Sequence, residues 1–411
     1  MLKKTIKSLL PGIFLFGYTV GTGSVTAMAK AGADYGMSLL WTVFLSCLMT
    51  FLLIHLFGKF TLLTGETALA AFRKHIHPLV AIFFIVTLTA HVSGSIIGVM
   101  GIISDVCYEW SKFYVAGGIA PVYFALFFIG LVYFIFLLGK TSWFEKILAV
   151  IVGVMAICFL LNFLMFSPPL REVAQGMVPK IPDTGPHESA FLVIASMVGT
   201  TVFSGLFILR TTLVKEAGWT MNDLKTQKKD ALFSGFMMFL VSAAIMAAAA
   251  GTLHTQGLPL INVSEMINIL APTTGTLAVT IFTLGIIAAG ISSQFPNAAL
   301  LPWLLDDYYQ RKPNLRRKNY RLIVLLLSLL GLIVPVFDAP PIAVMITSQA
   351  FGALVLPVTV ACIMILGNKA SLMKEHKFSV ALNILLAAIL IFAILMSYMS
   401  YQGIFASLQT L

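Results

Sequence analysis

Two stretches of this chain mix glycine with hydroxyl residues inside apolar surroundings: Phe16-Gly17-Tyr18-Thr19-Val20-Gly21-Thr22-Gly23-Ser24-Val25-Thr26 and Ser196-Met197-Val198-Gly199-Thr200-Thr201-Val202-Phe203-Ser204-Gly205. Glycine lowers helix propensity by about 1 kcal/mol relative to alanine, so each cluster is a place where a helix can open. An opened helix frees backbone carbonyls and N–H groups, and neighbouring hydroxyls add further donors and acceptors. Such an inventory binds ions or small polar solutes. It holds no nucleophile with a base and an orienting group, so an enzyme has no support. The alternative reading of both stretches is a close-packing face of small residues.

The elements that carry these clusters are membrane spans. The 411 residues are 59% hydrophobic and 10% charged, with a mean hydropathy of +0.98. Soluble domains carry about 25% charged residues, so soluble enzymes, disordered regulators and disulfide scaffolds are excluded together. Eleven segments reach the roughly 20 apolar residues a span needs: 11–33, 38–58, 79–104, 119–138, 144–166, 189–212, 230–252, 273–304, 320–337, 342–366 and 378–399. The opening Met1-Leu2-Lys3-Lys4 before an apolar run reads as a cytoplasmic anchor, not a cleaved signal peptide. Eleven spans put the termini on opposite sides. With the N-terminus cytoplasmic, all but four of the 26 Lys and Arg (Lys30, Lys112, Arg171 and Lys180) fall on the inner side, the positive-inside pattern. The net charge of +10 is therefore topological, and nucleic acid is not an expected partner. The expectation is a multi-pass protein of the plasma (inner) membrane, C-terminus outside, monomeric or dimeric.

Single residues refine this picture. All 16 Asp and Glu lie in loops or near span ends, so no mid-span carboxylate marks a cation path or proton relay. His91 is the one ionisable group near the middle of span three; with an ordinary pKa of about 6.5 it either carries a proton or simply bonds between helices. His55, without polar neighbours in sequence, is expected to be structural. Lys30 is expected to snorkel to the outer headgroups, with attraction of an anion as the alternative. Arg210, seven residues past Phe203, should lie about 10 Å further along the helix, near the inner mouth, as a positive-inside anchor. Cys47, Cys107, Cys158 and Cys362 show no metal or disulfide spacing and read as small buried residues, so neither a metal centre nor another cofactor is expected.

Several motifs recur in the order of a known family. Leu10-Pro11-Gly12 is followed by Ala29-Lys30-Ala31-Gly32-Ala33-Asp34-Tyr35-Gly36-Met37-Ser38-Leu39-Leu40-Trp41, then Leu63-Thr64-Gly65-Glu66-Thr67, Trp143-Phe144-Glu145-Lys146, Ala288-Ala289-Gly290-Ile291-Ser292-Ser293, Ser348-Gln349 and Leu356-Pro357. Together they resemble the NRAMP family of metal-ion transporters over almost the whole chain. The resemblance implies an all-α membrane protein with the LeuT-like inverted repeat of five plus five helices, broken helices 1 and 6, and an eleventh helix, working by alternating access. As one transporter domain, repeat one would run over about 11–166, repeat two over about 189–366, and the extra helix over about 378–399. Glu66 and Asp34 fall in family stretches and are assigned to capping or gating contacts.

The family's metal motif is altered. Its Asp-Pro-Gly-Asn break corresponds to Gly21-Thr22-Gly23-Ser24, and its sixth-helix Ala, Met and Pro-His to Thr200, Phe203, Ser204 and Gly205. A family Gln in helix eight becomes Ile291, and the acidic pair of helix three becomes His91 and Gly94. A divalent ion needs ligands that offset its desolvation, whereas half-helix N-termini flanked by hydroxyls favour an anion. The leading expectation is thus a secondary transporter of a small inorganic anion such as bicarbonate, or of another compact polar solute. The alternative keeps the family's cargo, Mg²⁺ or Mn²⁺/Fe²⁺ with proton coupling; a solute sensor is the second alternative. The expected binding set is Gly21, Thr22, Gly23, Ser24, Thr200, Thr201, Phe203, Ser204 and Gly205, the glycines leaving room for substrate and Phe203 forming an apolar wall. Ser292 and Ser293 match the hydroxyls that LeuT-like carriers offer to Na⁺, and His91 is the candidate for H⁺.

Overall fold

The computed structural model describes residues 12–409 apart from 13, 139–152, 154–156, 158–167, 183–188, 269–275, 313, 315 and 316. The fifth span, with its Trp143-Phe144-Glu145-Lys146 opening, lies outside the described residues. The first span is broken into α1 (14–19) and α2 (Thr22–Tyr35). There follow α3 (Leu40–Thr64), α4 (Pro78–Ser111) and α5 (Pro121–Leu138). The sixth span is broken into α6 (Ala190–Thr201) and α7 (Ser204–Glu216). Then come α8 (Leu224–Thr252), α9 (Thr276–Tyr308), α10 (Lys318–Phe337), α11 (Pro341–Asn368) and α12 (Val380–Gln409). Among the described residues nine helical stretches are long and apolar enough to cross a membrane, the sixth span counted whole; the broken first span adds to them.

Span starts are set by local chemistry. Proline opens α4, α5 and α11, where its missing N–H costs nothing. Ser189 caps α6 by accepting from the Phe191 amide at 3.3 Å. The third span is longer than the apolar run suggests, because Asp105 and Glu109 continue the helix to Ser111.

Packing pairs the broken helices reciprocally: α2 lies on α8, and α7 on α3. Each is thus held by the second helix of the other half, the relation that an inverted repeat produces. Glycines make the seams close. A Cβ at Gly32 would sit 2.2 Å from the Met246 carbonyl oxygen, and one at Gly199 would sit 1.9 Å from that of Gln349, tying α2 to α8 and α6 to α11 in the manner of small-residue membrane interfaces.

Two expectations about single residues are corrected, and a third residue gains a partner. Lys30 does not snorkel: it is 1% exposed, pairs with Asp34 at 2.9 Å and donates to the Leu260 carbonyl at 2.8 Å. The Leu260 amide donates to Asp34 at 3.1 Å, so one ion pair holds both backbone groups of that residue. Arg210 is not a surface anchor but forms a fully buried ion pair with Asp230, which also accepts from the Gly12 amide at 3.0 Å. His55 has a polar partner after all, with Nδ1 2.8 Å from Gln227 Oε1. Unpaired charges are too costly within a bundle, so these cations are buried only with their partners.

Candidate functional site

The first break falls at Val20 and Gly21. The amide of Val20 still donates to the Phe16 carbonyl at 2.9 Å, and the helix resumes when the Val25 amide donates to the Gly21 carbonyl at 3.0 Å. Gly21 is extended there, with φ −99° and ψ −171°. The second break falls at Val202 and Phe203, whose ψ of 119° takes it out of the helix. Neither α2 nor α7 has a side chain capping its N-terminus.

Between the breaks lies a small cavity. Gly21, Gly23, Ser24, Thr200 and Phe203 of the expected binding set line it, with Ser293 and His91, the candidates for Na⁺ and H⁺, joined by Tyr18, Thr19, Ser95, Asn297 and Gln349. Sequence reasoning missed the last five. Asn297 and Gln349 carried a signal, since an amide side chain inside a span is expensive unless bonded. Here they build a chain across four helices. Tyr18 Oη donates to Asn297 Oδ1 at 2.8 Å, Asn297 Nδ2 donates to Ser95 Oγ at 3.1 Å, and Gln349 Nε2 donates to Ser95 Oγ at 3.4 Å and Met345 Sδ at 3.3 Å.

Five expected site residues point elsewhere. Thr22 Oγ1 is buried without a partner, Thr201 Oγ1 donates back to the Met197 carbonyl at 2.8 Å, and Ser204 Oγ accepts from Thr359 at 2.7 Å. Gly205 lies behind the Phe203 ring, not in the cavity. Ser292 Oγ donates to the Ala289 carbonyl at 2.8 Å and is 3.5 Å from the Gly17 carbonyl, outside the lining. The glycines also do a job beyond the one expected. A Cβ at Gly21 would meet Ser293 Oγ at 1.6 Å, and one at Gly23 would meet Gln349 Nε2 at 2.7 Å. Besides lining the cavity, they make room for protein side chains.

Chemically the lining offers hydroxyls, two amides, one imidazole and backbone, without a carboxylate or a cation among the described residues. His91 Nδ1, on a side chain 4% exposed, has no partner. Among the described residues there is no group of three or more His, Cys, Asp and Glu placed to hold a metal ion.

The family model described as natural resistance-associated macrophage protein-like matches residues 13–402. The chain belongs to the Nramp family. The "Natural resistance-associated macrophage protein 2 homolog" of Dictyostelium discoideum is 23% identical over 95% of this chain, which spans 62% of that relative's length. The "Divalent metal cation transporter MntH" of Staphylococcus saprophyticus is 24% identical over 97% of this chain and 93% of its own. Among solved structures, a mutant of the Eremococcus coleocola manganese transporter superposes with a TM-score of 0.79 at 17% identity, covering 97% of this chain and 87% of that one. MhsT in complex with L-phenylalanine gives 0.63 at 16% identity, covering 96% and 98%. The two structural likenesses show the fold: this Nramp chain is a LeuT-like integral membrane protein.

Proposed function

We propose that this chain is a secondary transporter that moves a small ion through the cavity between its two helix breaks by alternating access, and that the ion is a divalent metal cation. Membership of the Nramp family supports that cargo over bicarbonate, as do relatives named as divalent metal cation and manganese transporters. The observation that carries the transport reading is the pair of broken helices meeting at one polar cavity, a geometry tolerated in a membrane only where backbone lines a path or is buried in protein. With neutral oxygen and nitrogen donors only, the site suits a hard, hydrated ion such as Mg²⁺ or Mn²⁺ better than a soft one. The protein sits with its N-terminus cytoplasmic and its C-terminus outside.

A second reading, a small anion or compact polar solute, is favoured by one specific observation: the lining has no carboxylate, while the uncapped N-terminus of α2 meets it at Gly21, Gly23 and Ser24. Uptake into proteoliposomes separates the two. Saturable Mn²⁺ or Mg²⁺ uptake that weakens in Ser24→Ala and Asn297→Ala supports the cation; labelled bicarbonate uptake lost in the same variants, with no metal uptake, replaces it. Ser292 and Ser293 would serve Na⁺, and undiminished uptake in choline removes that role. His91 would serve H⁺, and uptake indifferent to a pH gradient removes it.

A further inference from the structure

The Phe203 ring is enclosed on three sides. His91 lies against its face, ring centroids 4.8 Å apart with 25° between the planes, and Tyr18 meets it edge-on at 5.8 Å and 88°. Behind it is Gly205, where a Cβ would stand 2.4 Å from Cζ and 2.6 Å from Cε1 of the ring. His91 is backed in turn by Gly352 of α11, where a Cβ would stand 2.8 Å from Cε1 and 3.1 Å from Nδ1. Each of the two stacked rings therefore abuts a glycine, Phe203 at Gly205 and His91 at Gly352. Phe203 also lines the cavity.

Neither glycine is needed for its backbone. Both sit in ordinary helix, outside the positive-φ residues, where glycine costs about 1 kcal/mol against alanine. What Gly205 supplies is room for the ring. Gly352 has a second duty, because its Cβ would also approach the Gly199 carbonyl oxygen to 2.9 Å.

We infer that Phe203 sets the size of the solute the cavity accepts, and that Gly205 is the residue that positions it, by letting the two-ring stack lie back from the cavity. A methyl group at 205 must displace the ring. Packed interiors yield little, His91 cannot retreat past the α11 backbone, and Tyr18 is held by Asn297. The ring moves into the open side and narrows the cavity. This rests on the proposed function only in taking the cavity as the path of the cargo, and the test reads the cavity without any cargo.

The full-length protein, with Cys47, Cys107, Cys158 and Cys362 replaced by alanine and Thr200→Cys as a reporter on the cavity wall, is reconstituted in nanodiscs. The rate of modification by 2-aminoethyl methanethiosulfonate is then measured. Gly205→Ala should slow it about tenfold, equivalent to about 1.4 kcal/mol, and adding Phe203→Ala should restore the parent rate. Phe203→Ala alone should admit a bulkier benzyl reagent faster than the parent does. Gly352→Ala should slow modification in the same direction. An unchanged rate in Gly205→Ala, or a slowing that Phe203→Ala does not relieve, overturns the inference. Folding is read from size exclusion: a Gly205→Ala protein recovered only when Phe203→Ala is added supports the stack, and one that fails to fold in both backgrounds overturns it.

Discussion

His91 of α4 lies face to face with Phe203 at the break of the sixth span, their centroids 4.8 Å apart, and its Nδ1 has no hydrogen-bond partner among the described residues. The contact joins the third span to the sixth at the cavity wall. The ring therefore has two separable properties, its flat face and its free nitrogen. His91→Phe should keep the first and lose the second. If the imidazole meets the cargo, Mn²⁺ affinity measured by calorimetry should fall about tenfold, the loss of one interaction of about 1.4 kcal/mol.

The tightest approach at the first break is that of Gly21 to Ser293 Oγ. Gly21→Ala should destabilise by about 1–3 kcal/mol, the usual cost of overpacking. Ser293→Ala should recover much of the loss, and a double-mutant cycle on thermal unfolding measures the coupling directly. Without coupling, the Gly21 backbone and not its neighbour would be the constraint.

Arg210 and Asp230 are both 0% exposed. Removing one partner leaves a buried charge alone, at a cost of about 3–5 kcal/mol, whereas replacing both with apolar residues of similar volume often costs little. Arg210→Met should therefore melt well below Arg210→Met/Asp230→Leu. Chemical denaturation of the purified protein in detergent decides the order.

Glu66, between α3 and α4, accepts from Lys74 Nζ at 2.6 Å and lies 2.7 Å from His75 Nε2. Partial burial pushes its carboxyl up, and the hydrogen bonds from Lys74 and His75 outweigh it, leaving the group below its ordinary value of 4.5. A depressed carboxyl stabilises the fold fully above its ordinary value, and the contribution is lost as pH falls through the folded value. The melting temperature should drop between about pH 5 and pH 3 in the parent and drop less in Glu66→Gln over the same interval. With Lys74 exposed, the difference should be small.

The breaks were legible in the sequence because several glycines close together inside an apolar run weaken the helix at that point, and the hydroxyls beside them can satisfy the backbone that opens. The spans were legible because nothing but lipid accommodates such runs. What the clusters did not reveal was the face each residue presents. Thr22, Thr201 and Ser204 share the sequence neighbourhood of Ser24 and Thr200 yet turn away from the cavity, Thr201 to a helix carbonyl and Ser204 to α11, because helical rotation separates adjacent residues by about 100°. Asn297 and Gln349 were single polar residues in long apolar helices, and only the fold brings them to Ser95. The charges were misread for a related reason. Lys30 and Arg210 were counted singly as signals of side, while their partners Asp34 and Asp230 were counted separately as acids at span ends.

The first span is fastened at two heights to the same neighbour. At one end the Gly12 amide is held by Asp230 of α8, and at the other Lys30 and Asp34 grip Leu260, in the loop that follows α8. A tilt of the first span against the seventh would therefore break a buried charge contact at one height or the other.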